Sequence, residues 1–172
     1  MDLRNLREIN QVSEQRLNQS PSQRKIVIIY GALTLGLMLL TNDGALGHRL
    51  LSPRHHVPKK YAFTCQAPLS EQDCARLSEG VELEDGYRTK SATVTTEVDG
   101  LHGTITLTEG KYHQIKRMME AVHNQITYLE RVSFGPLALD ESLSRGEWRE
   151  LSKEEIQFMI DGLVAGEIPD YQ

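Results

Sequence analysis

The longest stretch of this chain without a charge, Ile26–Asn42, constrains the fold more than any other feature. It contains IVIIYGALTLGLMLL, rich in leucine and β-branched residues and broken by Gly31 and Gly36. Such a run has to be buried, in protein or in lipid. It falls short of the roughly 20 residues that cross a bilayer, and its glycines interrupt it. A signal peptide is a poor match as well. The run follows a polar stretch holding Asp2, Glu8 and Glu14, and no small-residue cleavage site comes after it. A buried strand pair, or a strand-turn-strand, is therefore predicted. With no membrane segment and no targeting signal to read, the expected compartment is the cytoplasm.

A chain of 172 residues, 39% hydrophobic and 25% charged, fits one soluble globular domain that needs no staples. Cys65 and Cys74 are too few for a disulfide scaffold and form no metal-ligand pattern. His55-His56 has no acidic company, so no metal is expected there either. The net charge of −5, from 19 basic and 24 acidic residues, argues on average against a nucleic-acid binder. The distribution argues differently. Gly44–Ser70 has no acid and carries Arg49, Arg54, Lys59 and Lys60, with His48, His55 and His56 between them. Acids dominate from Glu71 to Glu109, a second basic group follows (Lys111, Lys116, Arg117, Arg131), and the tail from Asp140 is acidic again. The two basic stretches either meet as one positive face, the footprint of a polyanion site, or even out over a solvated surface.

The pattern is mixed. Residues 1–25 read as a loosely ordered polar leader and 26–168 as the folded part. Gly36–Thr41 reads as a strand, and Asn42-Asp43-Gly44 turns the chain into a helix over 45–51 that ends at Ser52-Pro53. Tyr61–Cys65 reads as a strand, and Ser70 with Asp73 as a capping box that opens a helix. Strands at 93–98 and 104–108 flank Asp99-Gly100, a hairpin signal. Over 113–122, Ile115, Met118, Met119 and Val122 recur at helical spacing as a core face, while His113, Lys116, Arg117 and Glu120 lie on another. Gly110 just upstream suits a close approach of backbone or ligand. A strand over 126–132 and a final helix opened by Ser152 and Glu155 complete the pattern. The class is α+β, with a mixed and largely antiparallel sheet flanked by helices.

Neither a phosphate loop nor a nucleophile elbow is present in the sequence. Lys59 and Lys60 beside Tyr61 suit phosphate contact with base stacking, or else mark an ordinary half-buried tyrosine. His113, Lys116 and Arg117 offer two cations and an adaptable hydrogen bonder just after a glycine, or else a solvated helix face.

Three blocks in order resemble one family. Gly36-Leu-Met-Leu-Leu-Thr-Asn-Asp-Gly44, then His48-Arg49-Leu50 and Ser52-Pro-Arg-His-His-Val-Pro-Lys-Lys-Tyr61, are similar to the ribosomal small-subunit-type pseudouridine synthases. So are Glu109-Gly-Lys-Tyr-His-Gln-Ile-Lys-Arg-Met118 and Gly146-Glu-Trp-Arg149. The resemblance implies isomerisation of uridine to pseudouridine in ribosomal RNA, on a flipped nucleotide and without cofactor or metal. It implies that Tyr61 is the active-site tyrosine and that Lys116 pairs with the nucleophilic aspartate. Arg49, Arg54, His55, His56, Lys59, Lys60, His113, Gln114 and Arg117 become the expected RNA contacts, with ribosomal RNA as the partner.

The resemblance fails at one point. The family's nucleophile lies in Gly-Arg-Leu-Asp, followed by two residues, then Thr, one residue and Gly. Ala32-Leu33-Thr34-Leu35-Gly36 matches the second half, and Gly31 stands where the aspartate belongs. Alternatively Gly31 is the motif's own glycine and the rest is lost. Both alignments remove the carboxylate, and Asp43 is accounted for by its turn. The expectation is a partial catalytic domain with no separate N-terminal RNA-binding domain. It is inactive as it stands, or is alternatively a non-catalytic RNA-binding remnant.

Overall fold

The structure, a computed structural model, describes residues 26–30 and 36–165. The polar leader at 1–25 and the segment 31–35, with Gly31, lie outside the described residues. The uncharged run forms the predicted strand pair. β1 (Ile26–Tyr30) lies antiparallel to β2 (Leu37–Thr41), from Ile26 opposite Thr41 to Tyr30 opposite Leu37. The third strand of this sheet is β8 (Trp148–Glu150), which joins the far side of β1 to give the order β2-β1-β8.

After β2, Asp43 caps α1 (Gly44–Leu51), its carboxylate accepting from the Leu46 N–H at 3.0 Å. That accounts for Asp43 structurally. A 3-10 turn (Pro53–His55) leads into β3 (Lys59–Cys65). The Ser70–Asp73 capping box forms as read and starts α2 (Glu71–Glu79). β4 (Thr93–Thr96) and β5 (His102–Leu107) make the hairpin, with Gly100 at φ +65° and Asp99 accepting from the Leu101 and His102 N–H groups. Then come α3 (Gln114–Ala121), β6 (Ile126–Phe134), the short β7 (Leu137–Ala138) and, after β8, α4 (Lys153–Ala165). The second sheet runs β4-β5-β3-β6-β7, all antiparallel. The α+β reading stands. No helix among the described residues is long and apolar enough to cross a membrane.

The buried residues form two clusters, and the five-stranded sheet contributes to both. Phe63, Leu77, Ile105, Ile115, Met118 and Met119 are buried between the five-stranded sheet and helices α2 and α3. Leu37, Leu46, Leu50, Val57, Phe134 and Met159 form the second cluster. The predicted α3 face, Ile115, Met118, Met119 and Val122, is buried in the first core. The two halves are joined at Gly36, which bridges to Arg131 of β6, while Arg131 Nε donates to the Leu37 carbonyl at 2.7 Å. Gly36 has φ +100°, and a Cβ there would collide with the Arg131 backbone. Only glycine fits that contact.

Candidate nucleic-acid interface

The first basic stretch runs along α1, the 3-10 turn and the start of β3. Arg49 is half-buried on α1, Arg54 is exposed and His55 half-buried on the turn, and Lys59, Lys60 and Tyr61 are half-buried on β3. His56 adopts a left-handed conformation, φ 47°, which swings the chain from the turn into the strand. The second stretch surrounds the start of α3. His113, expected inside that helix, is its N-cap at φ 48° without a side-chain capping bond. Its ring stacks on exposed Tyr112 with centroids 3.9 Å apart and planes 19° from parallel.

Glu109, only 7% exposed, links the two stretches. Its Oε2 accepts from the Tyr87 hydroxyl at 2.5 Å, and its Oε1 from the Lys90 backbone N–H at 2.8 Å and from Gln114 Nε2 at 2.7 Å. Burial alone would raise the Glu109 carboxyl, but these bonds outweigh it and hold it below the usual carboxylate range. The same bond to Glu109 raises the Tyr87 phenol. Lys90 reaches back to the first stretch, with its Nζ 3.4 Å from His56 Nδ1. Lys111 of the second stretch sits 4.6 Å from the centre of the Tyr87 ring. Lys90, held by its backbone to Glu109, thus brings one residue of the first stretch, His56, towards the loop that carries the second.

Two expected contacts are withheld from solvent. Gln114 is buried, its amide spent on Glu109 and on the Lys111 N–H at 2.9 Å, so it shapes the loop rather than facing a ligand. Arg117 is paired with the loop before Tyr87, 2.5 Å from Asp85 and 3.2 Å from Glu84, with its side chain 15% exposed. Its hydrogen bond to Asp85 raises the guanidinium further above its ordinary value. Lys116 stays exposed and has no ion-pair partner among the described residues. It lines an open cavity of about 540 Å³ with Tyr112, His113, Arg117, Glu84, Asp85 and Glu120. Gly110, expected to allow a close approach, faces open space.

Glu109 stood in the sequence motif, but its partners Tyr87 and Lys90 carried no signal, because their roles arise from a loop folding back. Metal-ligand atoms cluster at the hairpin tip, where Glu97, Asp99 and His102 lie within 4.8 Å of one another. There Asp99 already binds His102 Nδ1 at 2.6 Å, and all three are exposed. Asp99 and His102 thus satisfy each other.

The domain is antiparallel α+β, with Glu109 anchoring the loop ahead of α3 and basic side chains on either side of it. A sequence profile described as RNA pseudouridylate synthase matches residues 6–121. An uncharacterised RNA pseudouridine synthase of Bacillus subtilis (strain 168), YtzG, is 46% identical over 129 residues, covering 73% of this chain and 54% of its own length. Ribosomal small subunit pseudouridine synthase A is 42% identical over 124 residues in Salmonella typhimurium (72% of this chain, 53% of its own). In Escherichia coli K12 it is 37% identical over 127 (74% and 55%). A crystal structure of a pseudouridylate synthase superimposes with a TM-score of 0.70 at 41% identity, covering 73% of this chain and 55% of the other. The chain belongs to the RNA pseudouridine synthase family, of the ribosomal small-subunit type. It spans about half the length of the curated relatives it matches.

Proposed function

We propose that this chain binds ribosomal RNA as a pseudouridine synthase of its family does but does not itself form pseudouridine. The observation that supports the binding half is the approach of Lys90, anchored on Glu109, to His56 of the first basic stretch, on a chain with relatives named ribosomal small subunit pseudouridine synthase A. Arg49, Arg54, His55, His56, Lys59 and Lys60 hold the backbone, and Tyr61 stacks on the target base. His113 and Lys116 extend the grip along α3, while Gln114 and Arg117 keep that helix and its loop in place.

The catalytic half rests on Gly31, which stands where the motif requires a carboxylate, within the residues that the family profile matches. Glycine has no side chain to attack ribose, and Lys116 is left without the anion that it would hold. The purified chain, incubated with ribosomal RNA and read by chemical mapping, is expected to leave uridine unmodified. Robust pseudouridine formation would overturn this half. Binding is expected to weaken steeply with salt and on Lys116→Glu. An affinity indifferent to salt would overturn the other half.

A further inference from the structure

At the seam between the two cores lie two cations with no anion beside them among the described residues. Along β3, Lys59 and Tyr61 alternate onto one face, and their cross-strand partners on β6 are Phe134 and Arg131, the register stepping over Val132. Directly opposed residues share a face, so all four line the same stretch of sheet. Tyr61 packs on the first core, whereas Phe134 belongs to the second. Lys59 Nζ lies 5.6 Å from the Phe134 ring centre and the Arg131 guanidinium carbon 5.4 Å from it.

Among the described residues, neither cation has an acidic partner. Lys59 Nζ reaches only the Val57 carbonyl, at 3.3 Å, and Arg131 spends Nε on the Leu37 carbonyl. The terminal nitrogens of Arg131 have no hydrogen bond among those residues. Burial first, and then repulsion from Arg131, lower the Lys59 ammonium from its ordinary value. Like charges held together at a half-buried seam oppose folding, and the Phe134 ring near both offsets this only in part. Anion binding is the arrangement that relieves it. A planar guanidinium fork with a lysine beside it matches the oxygens of a phosphodiester. The bond from Arg131 to Leu37, next to Gly36, places the pair at the start of β2.

We propose that Lys59 and Arg131 clamp one phosphate of single-stranded RNA, adjacent to the nucleotide that stacks on Tyr61. This rests on the RNA-binding reading above and gives Arg131 a ligand-binding role alongside its bond to the backbone of β2. The clamp is occupied only when RNA is bound, and it fixes the strand's register relative to Tyr61.

The test is fluorescence anisotropy of the full chain with a short single-stranded oligoribonucleotide, titrated across a salt series, with thermal unfolding of each variant alongside. Lys59→Gln is expected to raise Kd about 5- to 10-fold and to flatten the log–log salt slope by about 0.7, one single-strand phosphate contact. Arg131→Lys keeps the charge but loses the fork, so an intermediate loss is expected. Because Arg131 also holds Leu37, Lys59→Gln decides the matter if an Arg131 variant unfolds early. Unchanged affinity and slope in Lys59→Gln, while Lys116→Gln still weakens binding, would overturn the clamp and leave RNA binding standing. An unmodified chain with no salt-dependent binding would overturn both.

Discussion

One buried carboxylate orders more of this surface than any of the cations around it. Glu109 satisfies a phenol, a backbone N–H and a carboxamide at once, so its removal leaves three donors unpartnered. Glu109→Ala is expected to destabilise the protein by about 2–3 kcal/mol, the scale for abandoning buried hydrogen-bonding groups. Glu109→Gln keeps one acceptor and should lose less. Urea unfolding of the two variants checks the order, and equal stability would show the network to be incidental. The sign of the pH dependence follows from the lowered carboxyl. The stabilisation is complete above the unfolded glutamate value, near pH 4.3, and is lost as pH falls through the lower folded value. Glu109→Gln should abolish that acid-side component.

At the scale of elements, α4 is tied down by a second ionic device. Arg149 of β8 donates to both Glu155 oxygens, at 2.9 and 2.7 Å, and to Asp140 at 2.6 Å, while Glu155 and Ser152 close the capping box. The hydrogen bond from Arg149 is the main reason that Glu155 titrates at about 2. Its contribution should therefore hold above about pH 4.5 and disappear as pH falls towards 2, with α4 fraying before the five-stranded sheet. Amide exchange followed over that range tests this, and simultaneous loss everywhere would count against it. Ser152→Ala should cost about 1 kcal/mol. The cap pairs Ser70–Asp73 and Ser152–Glu155, the Asp99-Gly100 hairpin and the apolar stripe of α3 were legible in the sequence because each is decided within a few residues. The β1–β2 pair was legible as an uncharged run. The docking of β8 on β1, the hub at Glu109 and the Arg131 contact with Gly36 were not. Each joins residues far apart in the chain, where local pattern has no hold. The same limit applied to the site: Tyr61, Lys116 and the basic stretches could be read from motifs, but not that Gln114 is buried and Arg117 neutralised.

Across the whole molecule, the net charge of −5 is an average over basic and acidic stretches that alternate along the chain. The acids at Glu84 and Asp85 neutralise Arg117, yet Lys59, Lys116 and Arg131 have no acidic partner among the described residues. The proposed clamp also sits where the two cores meet, so its geometry depends on how firmly the halves are joined. That join comprises the Gly36–Arg131 bridge, the Arg131 bond to Leu37, the packing of β2 against β6, and Phe134 and Leu137, which the five-stranded sheet contributes to the second core. Gly36→Ala strains a left-handed backbone and drives a methyl group into the Arg131 backbone. It should therefore separate the halves as well as weaken them. The chain has one tryptophan, Trp148 on β8, so its fluorescence reports the three-stranded sheet, while far-UV circular dichroism reports both. In the unaltered chain the two probes should follow one urea transition, as for a single cooperative unit. In Gly36→Ala the Trp148 transition should move to lower urea and part from the circular dichroism. Coincident curves in the variant would mean that the two cores are coupled by more than this one contact.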